Sequence, residues 1–350
     1  MKKLTDSCIL MYNDKLLEFE EKDPVTGKGR VSSVMQRIRE SELSSCIKES
    51  NIAPMKRLRD IHDSDFLDEL HKKCYSGLNK LDEETPITKE AFEVARFGAG
   101  GVLDAIDMIM NGETRRAFCM TSMPGHNAGK KSQSSGSLIN PLAAGAHYLT
   151  KKYRLKRVLI LDLDADHGKG TQEIFYDRKD VLTISLHEYP GRTGTGYYDE
   201  TGVKGSFGYN LNIPFVSGYG DREYRVCLKE IVEKIAWQFM PQFILLGFGT
   251  NVLAKDDSSH LIMSQQGLYE ACNIVKTLSD SICGSKLISV LEGGKNYDEM
   301  AEGCYKHLSL MVNKKNKTVD RMKKEELISY ADWYGYSKIL KKTFRRYWKL

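Results

Sequence analysis

Three carboxylates occupy alternate positions near the middle of the chain. Asp162, Asp164 and Asp166 follow the apolar run from Arg157 to Leu161, which is typical of a buried strand in a parallel sheet. Alternate residues of an extended segment point to the same side, and open α/β sheets bind ligands where their strands end. The pattern predicts a hard-cation site with oxygen ligands. A solvated acidic turn is the competing interpretation.

Further segments flank this turn in a fixed order. They are Arg57–Leu67, Gly100–Asp107, Met123–Ala128, Val181–Pro190, Gly194–Gly196, Gly208–Pro214, Gly247–Gly249 and Leu291–Gly294. Together they resemble the histone deacetylase and acetylpolyamine amidohydrolase family of the arginase/deacetylase superfamily, from about Leu58 to about Leu310. Each segment alone is a weak signal. Their order over most of the chain is specific for the fold and less so for the activity.

The segments that position these residues alternate between strands and helices. Strands are predicted near 116–121, 157–163, 181–186, 242–247 and 286–291, and helices near 90–111, 138–152, 221–239, 264–281 and 297–312. This alternation predicts an α/β fold. With the resemblance, we expect a single arginase/deacetylase-like domain whose central, mostly parallel sheet has helices on both faces.

The resemblance implies a zinc site made by two Asp and one His, but the matching positions differ. The first Asp ligand matches Asp164, the His ligand matches Asp166, and the second Asp ligand matches Gly249. Catalytic zinc sites normally keep three protein ligands and an open position. We therefore expect no zinc and a degraded site. A less favoured alternative is an all-oxygen magnesium or manganese site that uses the amide of Asn251.

The resemblance also implies two His–Asp pairs and a Tyr that polarises the substrate carbonyl. His126 and Asp162 match the first pair. Asn127 and Lys169 replace both members of the second pair, and Lys295 stands at the Tyr position. Asn cannot accept a proton at neutral pH, and loss of a general base typically lowers the rate about 10²–10⁴-fold.

The predicted ligand pocket also departs from the family. Its two aromatic walls, which hold an acyl-lysine chain in relatives, match Gly136 and Arg192. We expect Arg192, Lys169 and Lys295 to surround the remaining carboxylates. In one interpretation these cations neutralise the carboxylates in a buried ion network. In the other they bind a phosphate or carboxylate group of a ligand.

A potassium site is expected to remain beneath the zinc position. Family members hold this ion mainly with backbone carbonyl oxygens, and the matching residues are Asp162, Asp164, Asp166, Ser185 and Leu186. Carbonyl ligation does not depend on the type of side chain. The replacement of the His ligand by Asp therefore leaves a structural potassium as the expectation.

Composition places the chain among globular proteins of the cytoplasm. Its 350 residues, 41% hydrophobic and 28% charged, are enough for one large domain with a substantial core. The eight cysteines form no Cys-x-x-Cys pair, which indicates free thiols in a reducing compartment. The apolar run near the N-terminus is too short for a signal peptide, and no segment has the length of a membrane span.

We divide the chain into three regions: a divergent N-terminal rim segment (1–56), the deacetylase-like domain (57–312) and a C-terminal extension (313–350). From Lys314 onward, twelve Lys or Arg residues accompany four Asp or Glu residues, and aromatic residues interleave with them. One interpretation is a basic amphipathic helix for an anionic partner, such as a membrane surface or nucleic acid. The favoured one is a helix packed on the domain with basic residues outward.

Three functions remain open. The favoured hypothesis is a pseudoenzyme that keeps the fold as a binding or scaffold subunit for a small polar or anionic ligand or a protein partner. The second is a re-tooled enzyme for a small polar or anionic substrate, with His126–Asp162 as an acid/base dyad and Lys295 as an electrostatic or nucleophilic group. An active metal-dependent amide deacylase is the least favoured. A homodimer contact is a further expectation.

Overall fold

One parallel sheet forms the centre of the computed structural model, which describes residues 8–20, 29–191, 193–313 and 333–350. The described strands are β1 (Ile9–Tyr12), β2 (Ile47–Glu49), β3 (Lys80–Asp82), β4 (Thr85–Pro86), β5 (Arg116–Cys119), β6 (Val158–Asp162), β7 (Val181–Glu188), β8 (Asn210–Phe215), β9 (Phe243–Phe248) and β10 (Leu287–Leu291). The eight-stranded sheet has the order β2-β1-β5-β10-β9-β6-β7-β8, with all neighbours parallel. Strands β3 and β4 form a separate antiparallel hairpin.

Helices cover this sheet in two groups. The described helices are α1 (Arg30–Arg39), α2 (Met55–Leu58), α3 (Ser64–Cys74), α4 (Ala91–Met110), α5 (Pro141–Lys152), α6 (Lys169–Phe175), α7 (Asp221–Cys227), α8 (Glu233–Phe239), α9 (Gln265–Ile282), α10 (Tyr297–Met311) and α11 (Trp333–Phe344). Helices α3, α4, α5 and α6 pack in one series, and α1, α10, α9 and α7 pack in another. In the described part of the chain, no helix combines the length and apolar character of a membrane span.

The central strands are almost entirely apolar, apart from Asp162 at the end of β6 and Ser289 in β10. All residues of β6, β9 and β10 are buried, as expected for a parallel sheet with both faces covered. In the register of the sheet, Asp162 lies opposite Gly247 and Leu291 lies opposite Phe248. The strands therefore end at one edge, where the loops that follow β5, β6, β9 and β10 meet.

The ends of the chain contribute more to the fold than their sequences suggest. The first 56 residues, expected to be a rim segment, supply β1 and β2 to the sheet and helix α1 beside it. At the other end, α11 buries Trp333, Leu340 and Phe344 against the domain. The Trp348 indole donates a hydrogen bond of 2.9 Å to the Gly208 carbonyl, beside the edge strand β8. The C-terminal segment thus covers a sheet edge that would otherwise be open to other strands.

Candidate functional site

A cavity of about 100 Å³ opens at the edge of the sheet where the strands end. Its walls come from the loops after β5, β6, β9 and β10, together with Phe19 and Arg30 from the N-terminal region. Among the predicted site residues, the cavity is lined by His126, Asn127, Gly136, Asp164, Asp166, Asn251 and Lys295. The order of the strands brings these residues together from loops that are far apart in the sequence.

The predicted His126–Asp162 pair is formed. His126 Nδ1 lies 2.8 Å from Asp162 Oδ2, and both side chains are buried. Burial alone would lower the pKa of His126, but the carboxylates of Asp162 and Asp164 outweigh this effect and raise the pKa well above its ordinary value. The two carboxylates therefore favour the protonated imidazole, whose Nε2 lies 3.9 Å from Asp164 Oδ1.

The backbone of the His126 loop is held by two buried side chains. Glu292 Oε2 accepts hydrogen bonds from the backbone N–H groups of Gly125 (2.6 Å) and His126 (3.2 Å). Burial raises the pKa of the Glu292 carboxyl to about 7, although His126 opposes this shift. From the other side, the Asn140 amide donates to the Ala128 carbonyl at 3.2 Å. The side chain of His126 is therefore presented by a fixed loop.

Asn127 stands beside His126 with its carboxamide buried. Its side chain is 1% exposed and lines the cavity. Among the described residues, Oδ1 of Asn127 has no hydrogen-bond partner. A buried polar atom without a partner costs about 1–3 kcal/mol. The Asn127 side chain thus carries an unsatisfied acceptor that is buried next to the cavity rather than exposed in it.

The carboxylate of Asp164 is fully engaged by protein donors. Its Oδ1 accepts a hydrogen bond from Asn251 Nδ2 (2.7 Å) and one from the backbone N–H of Asp166 (2.9 Å). Its Oδ2 accepts from the backbone N–H of Gly293 (2.5 Å). Burial raises the pKa of this carboxyl above its ordinary value, although His126 opposes the shift. The amide group of Asn251 thus occupies one side of the predicted first metal ligand.

The space beside Asp164 does not fit the family's third ligand. A Cβ atom at Gly249 would overlap Asp164 Oδ2 and would lie 2.7 Å from Asn251 Oδ1. Asn251 Oδ1 itself accepts the Ala165 N–H at 3.0 Å, so the amide oxygen proposed for magnesium or manganese faces away from Asp164. The described residues contain no group of three or more His, Cys, Asp or Glu side chains arranged to hold a metal. The residues present therefore do not fit a catalytic zinc.

Of the predicted cations in the described part of the chain, Lys295 lines the cavity and Lys169 does not. The Lys295 side chain is exposed, whereas Lys169 begins α6. Arg192 lies outside the described residues. The loop that carries Lys295 is held by the buried carboxylate of Asp256, whose Oδ2 accepts the backbone N–H groups of Lys295 (2.6 Å) and Asn296 (2.8 Å).

The residues predicted for potassium divide between two cavities. Asp164 and Asp166 line the cavity described above, whereas Asp162 and Ser185 line a separate cavity of about 10 Å³ between the sheet at β6, β7 and β8 and the start of α6. Leu186 is buried in β7, and the Ser185 hydroxyl lies 2.8 Å from His187 Nδ1. Such a volume is close to the lower limit for one water-sized occupant. The potassium site therefore stays a prediction.

Residues 25–311 match the model of the histone deacetylase domain. The chain belongs to the histone deacetylase family. The match begins within the N-terminal region that was predicted to be divergent and includes β2, whereas β1 precedes it.

Several named proteins are similar to this family member. A probable deacetylase of Archaeoglobus fulgidus is 31% identical over 290 residues, which cover 81% of this chain and 80% of that protein. The acetoin utilization protein AcuC of Staphylococcus aureus (strain MSSA476) is 30% identical and covers 89% and 83%. Histone deacetylase 6 of Caenorhabditis elegans is 28% identical, over 86% of this chain and 33% of that protein.

A solved structure supports the same architecture. The crystal structure of the HDA15 HD domain superposes with a TM-score of 0.87 and covers 98% of this chain and 96% of that chain. At 23% identity, this likeness bears on the fold alone. The predicted α/β fold, with a parallel sheet and helices on both faces, is thereby confirmed.

Sequence reasoning missed three contributors to the site. Arg30 is buried and donates from its guanidinium to the carbonyls of Thr121 and Glu292. Glu292 and Asp256 hold the loops that carry His126 and Lys295, as described above. Glu292 could have been identified from the sequence, because it belongs to the segment Leu291–Gly294 that resembles the histone deacetylase family. Nothing in the sequence marks Asp256 as buried or as a partner of that loop.

Proposed function

We propose that this histone deacetylase family member binds a small polar ligand without zinc-dependent hydrolysis, as a pseudoenzyme or scaffold subunit. The observation that carries this proposal is the saturation of Asp164 by the Asn251 amide and the Gly293 N–H, at 2.7 and 2.5 Å. A zinc ion would have to displace these hydrogen bonds. It would also lack the ligand that Gly249 cannot supply, and catalytic zinc normally needs three protein ligands.

The second support is the loss of proton-transfer groups beside the pocket. Asn127 stands where the family has its general base, and a carboxamide cannot take a proton from water at neutral pH. His126 remains, but it is buried between Asp162 and Asp164. The chain's own residues can therefore hold and orient a bound group, but the residue that the family uses as its general base is replaced by Asn127.

The third support is that the pocket remains open to a ligand. The cavity keeps about 100 Å³ and is lined by both apolar and polar groups. The unpartnered Asn127 Oδ1 is a buried acceptor on its wall. Lys295, at the exposed end, adds a cation. A small polar molecule would match this mixed lining of apolar, polar and charged groups.

The decisive experiment measures metal content and hydrolysis on the same sample. Protein purified without chelator is analysed by mass spectrometry for metals, then again after zinc is added and excess removed, beside an Asp164→Ala control. We expect no stoichiometric zinc in either protein and no turnover of an acetyl-lysine peptide. One zinc per chain that disappears in Asp164→Ala, with turnover that disappears as well, would overturn the proposal and make the chain an active deacylase like its named relatives.

Ligand binding is tested separately from catalysis. Thermal unfolding is followed in the presence of neutral amides, carboxylates and phosphates, because a ligand of the folded state raises the unfolding temperature. Asn127→Leu is the pocket variant, and Asn79→Leu, at an exposed position, is its matched control. A shift in unfolding temperature that vanishes only in Asn127→Leu supports a ligand in the pocket. The class of compound that produces the shift decides whether that ligand is neutral or anionic.

A re-tooled enzyme is the second candidate, and the intact His126–Asp162 hydrogen bond favours it. Such an enzyme would use the imidazolium as an acid toward a small polar or anionic substrate, with Lys295 at the mouth of the pocket. In a cell that lacks the protein, His126→Ala and Lys295→Ala should both abolish function if the chain is an enzyme of this kind. Both variants should restore function if it is a scaffold.

Two further properties are part of the proposal. We propose a structural potassium near Asp162 and Ser185, which metal analysis of dialysed protein against a sodium-exchanged sample would detect as one potassium per chain. We also propose a cytoplasmic location, since all eight cysteines are buried free thiols, a state typical of reducing compartments.

A further inference from the structure

Exposed basic side chains form a stripe along helix α11 and the turn after it. Lys338 and Lys342 are exposed on α11, where their spacing of four residues places them on one side of the helix. Arg346 is exposed in the turn that follows Phe344. Tyr334 begins the same stripe and is 71% exposed. We call this stripe, from Tyr334 to Arg346, the basic face of α11.

The orientation of the basic face is fixed by the opposite side of the helix. Trp333, Leu340 and Phe344 are buried there, the last two completely. The Tyr336 hydroxyl donates to the Pro214 carbonyl of the edge strand β8. The ammonium of Lys341 pairs with Glu230 in the π-helical turn Leu228–Val232. The basic face therefore cannot turn inward without breaking these contacts.

The positive charge of the basic face is left uncompensated by the domain. None of Lys338, Lys342 and Arg346 pairs with an acidic side chain in the described part of the structure; the Lys338 ammonium lies 4.0 Å from the centre of the Tyr334 ring instead. From Lys314 to Leu350 the chain has an excess of eight positive charges, while the whole chain carries +5. The remaining residues are therefore slightly acidic, and the attraction for anions is concentrated at this end.

Apolar side chains are exposed among these cations. Ile339 is 47% exposed beside the basic face. On the neighbouring helix α8, Trp237 is 47% exposed, next to Gln238, which exchanges hydrogen bonds with the backbone of Lys349. An exposed aliphatic side chain gains little free energy from contact with the phosphate backbone of a nucleic acid. At the boundary between lipid headgroups and acyl chains, both the aliphatic and the cationic groups are favourably placed.

We propose that the basic face of α11, with Ile339 and Tyr334, docks on an anionic phospholipid surface. This surface is independent of the deacetylase-like pocket and goes beyond the proposed ligand-binding function. Lysine and arginine contact the lipid phosphates electrostatically, and Ile339 and the Tyr334 ring enter the interface. The helix lies on the membrane rather than across it.

The test is cosedimentation of the full chain with two kinds of vesicle. One contains phosphatidylcholine alone, and the other is an equal mixture of phosphatidylcholine and phosphatidylglycerol. We expect binding to the mixed vesicles that weakens as salt is added. Lys338→Glu, Lys342→Glu and Arg346→Glu together should lower this affinity roughly a hundredfold, since each basic residue at an anionic bilayer contributes about fivefold.

A matched control carries the same change of charge elsewhere. Lys48→Glu, Lys72→Glu and Lys151→Glu reverse three exposed lysines on other elements and should weaken vesicle binding far less. A further variant, Tyr334→Ser with Ile339→Ser, keeps every charge and should lower vesicle affinity about tenfold. Circular dichroism on each variant confirms that the fold is retained.

Two results would overturn the proposal. Equal vesicle affinity in the wild type and the basic-face variant would show that this face is not the contact. Binding of a DNA or RNA duplex, without binding of the mixed vesicles, would assign the face to nucleic acid. In that case the Tyr334→Ser and Ile339→Ser variant should retain most of its affinity for the duplex.

Discussion

The carboxamide nitrogen of Asn251 lies 2.7 Å from Oδ1 of Asp164, so that an amide donor stands against the carboxylate predicted to bind metal. The two residues belong to the loops after β9 and β6 and are 87 positions apart. A carboxylate buried without a cation or donor would be strongly disfavoured. The hydrogen bond therefore stabilises the Asp164 carboxylate at the buried floor of the pocket.

Removal of this amide should destabilise the protein. Asn251→Ala leaves the Asp164 carboxylate without one of its donors, and we expect a loss of about 1–3 kcal/mol in the free energy of unfolding. Urea unfolding monitored by circular dichroism measures it. Asn79→Ala, at an exposed position, is the control and should change the stability by less than about 0.5 kcal/mol. Equal stability of the two variants would contradict the stabilising role of Asn251.

Restoring the missing ligand alone should not restore a zinc site. Gly249→Asp places a Cβ atom against the Asp164 carboxylate and 2.7 Å from Asn251 Oδ1, so we expect a loss of about 1–3 kcal/mol from overpacking and no bound zinc. Gly249→Asp with Asn251→Gly and Asp166→His removes the contact with Asn251, leaves those with Asp164 and completes the ligand set. This triple variant should bind cobalt or zinc, measured by absorption spectroscopy and metal analysis. Stoichiometric zinc in Gly249→Asp alone would refute the steric argument.

The loop that carries Lys295 should depend on Asp256. Asp256→Asn weakens the charge-assisted hydrogen bonds to the N–H groups of Lys295 and Asn296. We expect faster hydrogen exchange of these two amides and a loss of about 1–3 kcal/mol in stability. The neighbouring Asp257 is exposed, so Asp257→Asn is a matched control that should leave both quantities unchanged.

Buried neutral histidines should make the protein sensitive to acid. Burial lowers the pKa of His62 to about 4 and that of His307 to about 3, from an ordinary value of 6.5. In the unfolded chain both histidines take up protons below 6.5, whereas the folded protein resists this uptake. Their contribution to stability is therefore present above pH 6.5 and is lost as the pH falls toward about 4, by roughly 1.4 kcal/mol per pH unit for each histidine.

The variant His307→Gln separates one of these contributions. Its free energy of unfolding should fall less steeply than that of the wild type as the pH is lowered. The slope of unfolding free energy against pH should differ by the equivalent of about one proton taken up on unfolding. Urea unfolding at a series of pH values measures the slope. His71→Gln, at an exposed histidine, serves as the control and should keep the wild-type slope. An unchanged slope in His307→Gln would mean that His307 is not held neutral by its burial.

The C-terminal helix should be an integral part of the domain. Phe344 is completely buried, and Phe344→Ala is expected to lower the free energy of unfolding by about 3–5 kcal/mol. Ile339→Ala, on the exposed side of the same helix, should lower it by less than about 1 kcal/mol. Thermal and urea unfolding of both variants provide the comparison. A small effect of Phe344→Ala would mean that α11 contributes little to the folded core.

The sequence by itself determined the family and the central sheet. Residues 158–162, 243–248 and 287–291 form apolar runs because strands covered on both faces have no polar side to show. The His126–Asp162 pair could also be predicted, since both residues match motifs of the family. The strands β1 and β2 were missed, because they are short and their pairing partners lie in other parts of the chain.

Only the tertiary structure decided what the site residues contact. Asn251 turns its amide nitrogen to Asp164, Asp256 supports the loop of Lys295, and Lys169 stays out of the cavity wall, although the sequence predicted it there. These outcomes depend on loops that meet only after the strands have paired, and on the direction in which each side chain then points. Residue type and spacing specify which groups are available. The packed fold specifies which of them lie within hydrogen-bonding distance.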